Sequence, residues 1–114
     1  MQKKITIGGK KYTLTANRSI IKTLYKIAPD MLSLGKAKKE GDLEAKVGID
    51  VMANLDILFF DMIRVVHKDI AKETSDEILD KFEREYEDVQ TELVNLAMSV
   101  FTTGDQKKKI IWEE

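Results

Sequence analysis

His67 is the only histidine in the chain and there is no cysteine, so the side chains able to do chemistry are few. A catalytic histidine needs a nucleophile beside it or a carboxylate that orients it. The nearest charged residues are Asp61, Arg64 and Asp69, and none completes such a set; Asp69, two positions away, lies on a different face of any helix. The absence of cysteine removes thiolate nucleophiles, disulfides and thiolate metal ligands. Between Asp76 and Glu92 eight acids stand against two bases, but no glycine interrupts them to form a calcium loop, and no Glu-x-x-His pair offers a di-metal site. Gly8-Gly9-Lys10-Lys11 lacks the remaining residues of a phosphate loop and reads as a hairpin turn. The expectation is a chain with no catalytic, cofactor-binding or metal-binding residues.

Charge is more informative. Residues 1–46 hold 11 Lys and Arg against 4 Asp and Glu, and residues 47–114 hold 8 against 16, although the net charge is only -1. An asymmetry of this kind either steers partners or favours head-to-tail self-association, or marks no more than solvated helix faces. Lys36, Lys38 and Lys39 form one basic cluster and Lys107, Lys108 and Lys109 another. No aromatic platform is interleaved with them, so direct nucleic-acid binding is not expected. The longest apolar stretch, Ile57 to Val66, carries Asp61 and Arg64 and is too short to span a bilayer. The opening MQKKITIGG has no apolar run of the signal-peptide type.

The elements that would position these residues can be read from spacing. Ile5 and Ile7 share one parity before Gly8-Gly9, and Tyr12 and Leu14 share one after it, which predicts a β-hairpin over 3–15 with both pairs facing one core. Asn17 is a good N-cap for a helix over 18–34, which Pro29 bends or ends. Residues 36–42 are polar and predicted to be an exposed loop. A long helix is predicted over 43–71, its stripe made by Val47, Val51, Leu55, Leu58, Met62 and Val66. Thr74 with Glu77 reads as a capping box opening a helix over 75–87. A final helix is predicted over 89–103, closed by Gly104, with 105–114 a polar tail that carries Ile110, Ile111 and Trp112. The fold expected is mainly α: one domain over 1–104, with a short N-terminal β-hairpin followed by a bundle of about four helices.

The helix over 43–71 is apolar around most of its circumference, and a chain of 114 residues has few other elements to cover it. That favours a homo-oligomer or a bound partner. The candidate protein-binding residues are Leu55, Ile57, Leu58, Phe59, Phe60, Met62 and Ile63, with Ile57 and Phe60, which fall off the main stripe, expected to be the most exposed.

The order of these pieces resembles the small tail assembly chaperones of long-tailed bacteriophages and prophages of Gram-positive bacteria. Their opening hairpin often reads I-T-I-N-G-K-x-Y-x-L, and Ile5, Thr6, Ile7, Gly9, Lys10, Tyr12 and Leu14 match it, with Gly8 where asparagine is commoner. The segment Ile70 to Glu77 stands where such proteins often carry P-x-L-T-x-E-E, here without the proline. The resemblance covers roughly 4–100. It implies a non-enzymatic protein that binds the helical tape measure protein, keeps it soluble while tail tube protein polymerises around it, acts in the host cytoplasm and is absent from the finished virion. A structural tail or head-tail joining protein, and a small nucleic-acid-binding regulator, are the alternative readings of the same sequence.

Overall fold

A computed structural model describes residues 2–30 and 40–106, and within them the side chains of 2–30 and 45–100. The chain is mainly helical with an N-terminal hairpin, as the sequence predicts. Strands β1 (Gln2–Ile7) and β2 (Lys10–Thr15) are followed by helices α1 (Arg18–Ile27), α2 (Glu40–Ala53), α3 (Leu55–Ile63), α4 (Lys72–Glu85) and α5 (Val89–Gln106).

The hairpin pairs Ile7 with Lys10, Ile5 with Tyr12 and Lys3 with Leu14. Gly8 and Gly9 take φ of 57° and 79°, the doubly positive turn whose twist matches that of the strands and that side chains resist. Ile5, Ile7 and Leu14 are buried on one face and Tyr12 packs beside them. Asn17 caps α1 as expected, its Oδ1 accepting the Ser19 amide at 3.0 Å. That helix stops at Ile27, with Ala28 as its C-cap, rather than running to 34. Pro29 explains the stop, because its ring disfavours helical geometry in the residue before it; positions 31–39 lie outside the described residues.

The helix predicted over 43–71 is two helices. α2 begins at Glu40, inside the segment expected to be loop, and the break falls at Asn54. Asn54 turns its side-chain amide back to the Asp50 carbonyl at 2.9 Å, while its backbone amide reaches Val51 O at 3.2 Å. Asparagine competes with the helical ladder in this way. α3 then ends at Ile63, and residues 64–71 are turns. Two β-branched residues, Val65 and Val66, follow the helix end, and the His67 side chain is held on the hairpin.

α4 starts at Lys72, three residues before the predicted 75, with Ala71 at the N-cap and no side-chain cap. Thr74 is inside the helix, so the capping box does not form. Lys72 anchors this start instead, its Nζ 2.9 Å from Asp56 Oδ2 and 2.7 Å from Asp76 Oδ1. The Lys72 ammonium holds the Asp56 carboxyl below its ordinary range, mainly by that hydrogen bond. α4 buries Ser75, Ile78, Leu79 and Phe82, a single helical stripe. The predicted break near 87–88 is present, Asp88 taking φ of 58°. α5 continues past Gly104 to Gln106, so that glycine lies within the helix rather than closing it. Residues 107–114 lie outside the described residues.

α3 is the centre of the fold. It packs on α1, α4 and β2, and Leu58, Phe59, Met62 and Ile63 are fully buried. Phe59 lies 6.2 Å from Phe82, ring centre to ring centre. Among the described residues two buried hydroxyls, those of Thr15 and Ser75, make no hydrogen bond, and Ser75 is the more deeply buried. A buried hydroxyl without a partner costs on the order of 1–3 kcal/mol. Ser75→Ala is therefore expected to stabilise the fold by on the order of 1 kcal/mol, read as a higher denaturant midpoint at unchanged slope. A loss of stability would mean that the hydroxyl is hydrogen-bonded.

Candidate functional site

The seven candidate binding residues do not form a surface. Leu55, Leu58, Phe59, Met62 and Ile63 are buried inside the chain, and Ile57 and Phe60 are half-buried. Of the seven, the two expected to be most exposed are indeed the least buried, but α3 is the core of its own fold rather than a docking face. Phe60 lies under the Arg64 guanidinium at 5.2 Å, and Arg64 in turn pairs with Asp61 at 3.2 Å. Asp61 also accepts the buried Thr23 hydroxyl at 2.6 Å, tying α3 to α1. The break at Asn54 is the reason for the difference. It lets α2 and α3 bury different faces, so no continuous apolar cylinder remains to be covered.

His67 has a structural position. Its Nε2 accepts the Thr13 amide at 3.0 Å, and its ring meets Tyr12 edge-on at 5.6 Å. An accepting Nε2 requires the neutral imidazole with its proton on Nδ1. The ring thus closes the outer edge of β2, and no nucleophile is arranged on it. No cluster of His, Cys, Asp or Glu able to hold a metal occurs among the described residues.

An apolar recess lies elsewhere, between β1 and the α4–α5 corner. It is a cleft of about 350 Å³, at the small end of the range for ligand pockets. Ile5 and Leu14 of the hairpin, Phe82 of α4, and Val89, Leu93 and Leu96 of α5 form its floor. Lys3 and Lys4 stand on the strand side, and Glu87 and Glu92 on the helical side. Lys3 Nζ reaches Glu92 Oε2 at 2.9 Å, with both side chains about half exposed, so the pair contributes little stability and opens at small cost. Tyr86 closes one end. Its hydroxyl donates to Thr6 O at 2.8 Å, and its ring packs edge-on against Phe82 at 5.5 Å. Beyond it the Glu85 carboxylate accepts the Gly8 amide at 3.2 Å. The basic N-terminal strand and the acidic 76–92 stretch therefore meet within one chain, at this cleft.

The sequence shows each wall of this cleft but not their meeting. Phe82, Leu93 and Leu96 read as ordinary buried faces of two helices; the bend at 86–88 was the one local signal that those helices form a corner.

Among the described residues the exposed large apolar side chains are Ile49 (68%), Met52 (39%), Val66 (46%) and Tyr86 (47%). Ile49 and Met52 share the outer face of α2, opposite Val47 and Val51. Among the described residues no helix is long and apolar enough to cross a membrane. The cleft thus combines an apolar floor with oppositely charged walls. Comparison of the chain with protein-family models, with curated proteins and with solved structures gives no match.

Proposed function

We propose that the chain is a protein-binding assembly factor, a tail assembly chaperone that holds apolar stretches of a tape measure protein in the cleft between β1 and α5. The observation that carries this reading is the cleft itself: an apolar floor beside an open strand edge, crossed by a weak ion pair. Apolar recesses with charged rims suit protein segments, and a non-covalent holder needs no reacting groups. The hairpin that forms one wall is also where the resemblance to tail assembly chaperones is densest, at Ile5, Thr6, Ile7, Gly9, Lys10, Tyr12 and Leu14. The buried α3 residues shape the site from beneath and do not touch the client.

Co-expression with the tape measure protein encoded in the same gene cluster tests the proposal. The client is expected to be soluble and to co-purify with the chain, and to precipitate without it. Lys4→Glu, an exposed position on the strand-side wall of the cleft, is expected to weaken co-purification while retaining the helical circular-dichroism spectrum. A tape measure protein equally soluble without the chain, or recovery of the chain in finished particles, would overturn the reading.

A further inference from the structure

A two-stranded sheet has two edges, and β2 is one of them. The outward backbone groups of an edge meet water or another strand unless something covers them. Thr13 is an outward position of β2. Its amide points away from β1, to His67 Nε2 at 3.0 Å. Tyr12 and Leu14, paired with Ile5 and Lys3, turn their amides into the ladder, as alternation in an antiparallel pair requires. The backbone of His67 is held on its own side of this contact. Its amide donates to Ile63 O at 3.1 Å, and its carbonyl accepts the Ile70 amide at 3.1 Å. The imidazole carries the link from that turn to the strand.

The bond exists with one form of the ring. A backbone N–H can only donate, and Nε2 receives it through a lone pair. A second proton on the imidazole takes up that lone pair and sets an N–H against an N–H. Acid thus turns an attraction into a repulsion at a single pair of atoms and leaves the ladder behind it intact. Histidine is the side chain whose charge ordinarily changes between about pH 5 and 8, and His67 is the only one in the chain.

A charged ring has an exit. A shallow recess opens beside it, between Tyr12 of β2, the turn at 66–70, and Thr74 and Ile78 of α4. Val66, Lys68 and Asp69, which line it, are exposed, so water reaches the ring. The groups around the imidazole do not hold it to one charge. On its own turn Lys68 and Asp69 are of opposite sign. On β2 the titratable neighbour is Tyr12, which meets the ring edge-on at 5.6 Å; Lys10 and Lys11 do not line the recess. α4 presents Thr74 and Ile78 there, neither of them charged, and Asp61 and Arg64 of the preceding helix pair with each other. We infer that His67 is a proton-sensitive latch on the outer edge of β2: the neutral ring holds the Thr13 amide, and the protonated ring turns out through the recess and frees it. The step is local, because the ladder and the buried Ile5, Ile7 and Leu14 do not rest on the ring. It does not depend on what occupies the cleft.

Nuclear magnetic resonance on the full chain, isotopically labelled in nitrogen, tests the latch, since a single histidine gives one set of ring signals. At neutral pH the ring proton is expected on Nδ1, with Nε2 unprotonated. As the ring titrates, protection of the Thr13 amide from exchange, corrected for the intrinsic effect of pH, is expected to fall several-fold with the same midpoint. The Tyr12 and Leu14 amides are expected to keep theirs. His67→Gln sets an amide oxygen in the place of Nε2 and does not titrate, so Thr13 is expected to stay protected at every pH. His67→Phe keeps a ring without an acceptor, and Thr13 is expected to be unprotected throughout. Should a variant fail to fold, the tautomer and the shared midpoint in the unaltered chain decide the matter. A ring proton on Nε2 at neutral pH, Thr13 protection constant across the titration, or a pH dependence that persists in His67→Gln would each overturn the inference.

Discussion

Phe59→Ala is expected to destabilise the protein by about 3–5 kcal/mol, the usual cost of emptying a buried aromatic site, whereas Phe60→Ala is expected to cost about 1–2 kcal/mol. The two positions are adjacent in sequence and equally apolar. Phe59 is fully buried and packs on Phe82, so its removal leaves a cavity between α3 and α4 that rigid neighbours cannot fill. Phe60 is half-buried and its main identified partner is Arg64, a cation–π contact worth about 0.5–1 kcal/mol when exposed. A domain of this size is stable by only about 5–15 kcal/mol. At roughly 4 °C per kcal/mol, Phe59→Ala lowers the thermal midpoint by roughly 12–20 °C. Calorimetry on the pair checks this, and equal midpoints would show that α3 is not oriented as described. Phe60→Asp should fold, and under the proposed function it should leave client binding intact, because Phe60 does not line the cleft.

A larger effect is expected at Leu58. Leu58→Asp places a carboxylate where no solvent reaches. Such a group is desolvated without compensation, or must be protonated to remain inside. Together with the lost leucine packing the cost exceeds about 5 kcal/mol, near the total stability. No folded protein is expected at neutral pH, as read by circular dichroism and by yield of soluble protein. Ile49→Asp is the matched control. Ile49 is 68% exposed on the outer face of α2, so its replacement is expected to change stability by no more than about 0.5 kcal/mol. If Leu58→Asp folds and Ile49→Asp does not, the assignment of core and surface faces is inverted.

The contrast between Leu58 and Ile49 also shows where sequence reading reached its limit. Leu58 falls on the apolar stripe read from spacing and Ile49 off it, but the same spacing joined them in one helix over 43–71. A single asparagine divides that helix, by bonding back to Asp50 and ending α2. In a helix interior asparagine is only mildly unfavourable, and whether it breaks the helix depends on what the next turn packs against. The same holds for Thr74 and Glu77. They satisfy the pattern of a capping box, but Lys72 reaches Asp56 across a tertiary contact and moves the helix start back to residue 72. Local rules fail here because the competing interaction comes from sixteen residues away.

What the sequence determined by itself is what depends on neighbours within a few residues. Gly8-Gly9 set the hairpin turn, because positive φ at two successive positions favours residues without a side chain. Alternation put Ile5, Ile7 and Leu14 on one face, and Asn17 capped α1. The helical period marked Ile78, Leu79, Phe82, Leu93 and Leu96 as buried. The tertiary structure alone decided which of two apolar helices became the core, and that the free edge of β1 would face the corner of α4 and α5. Neither follows from a local pattern. Burial is a property of the whole packing, and a cleft belongs to surfaces brought together from residues some eighty positions apart, as the bond from Tyr86 to Thr6 records.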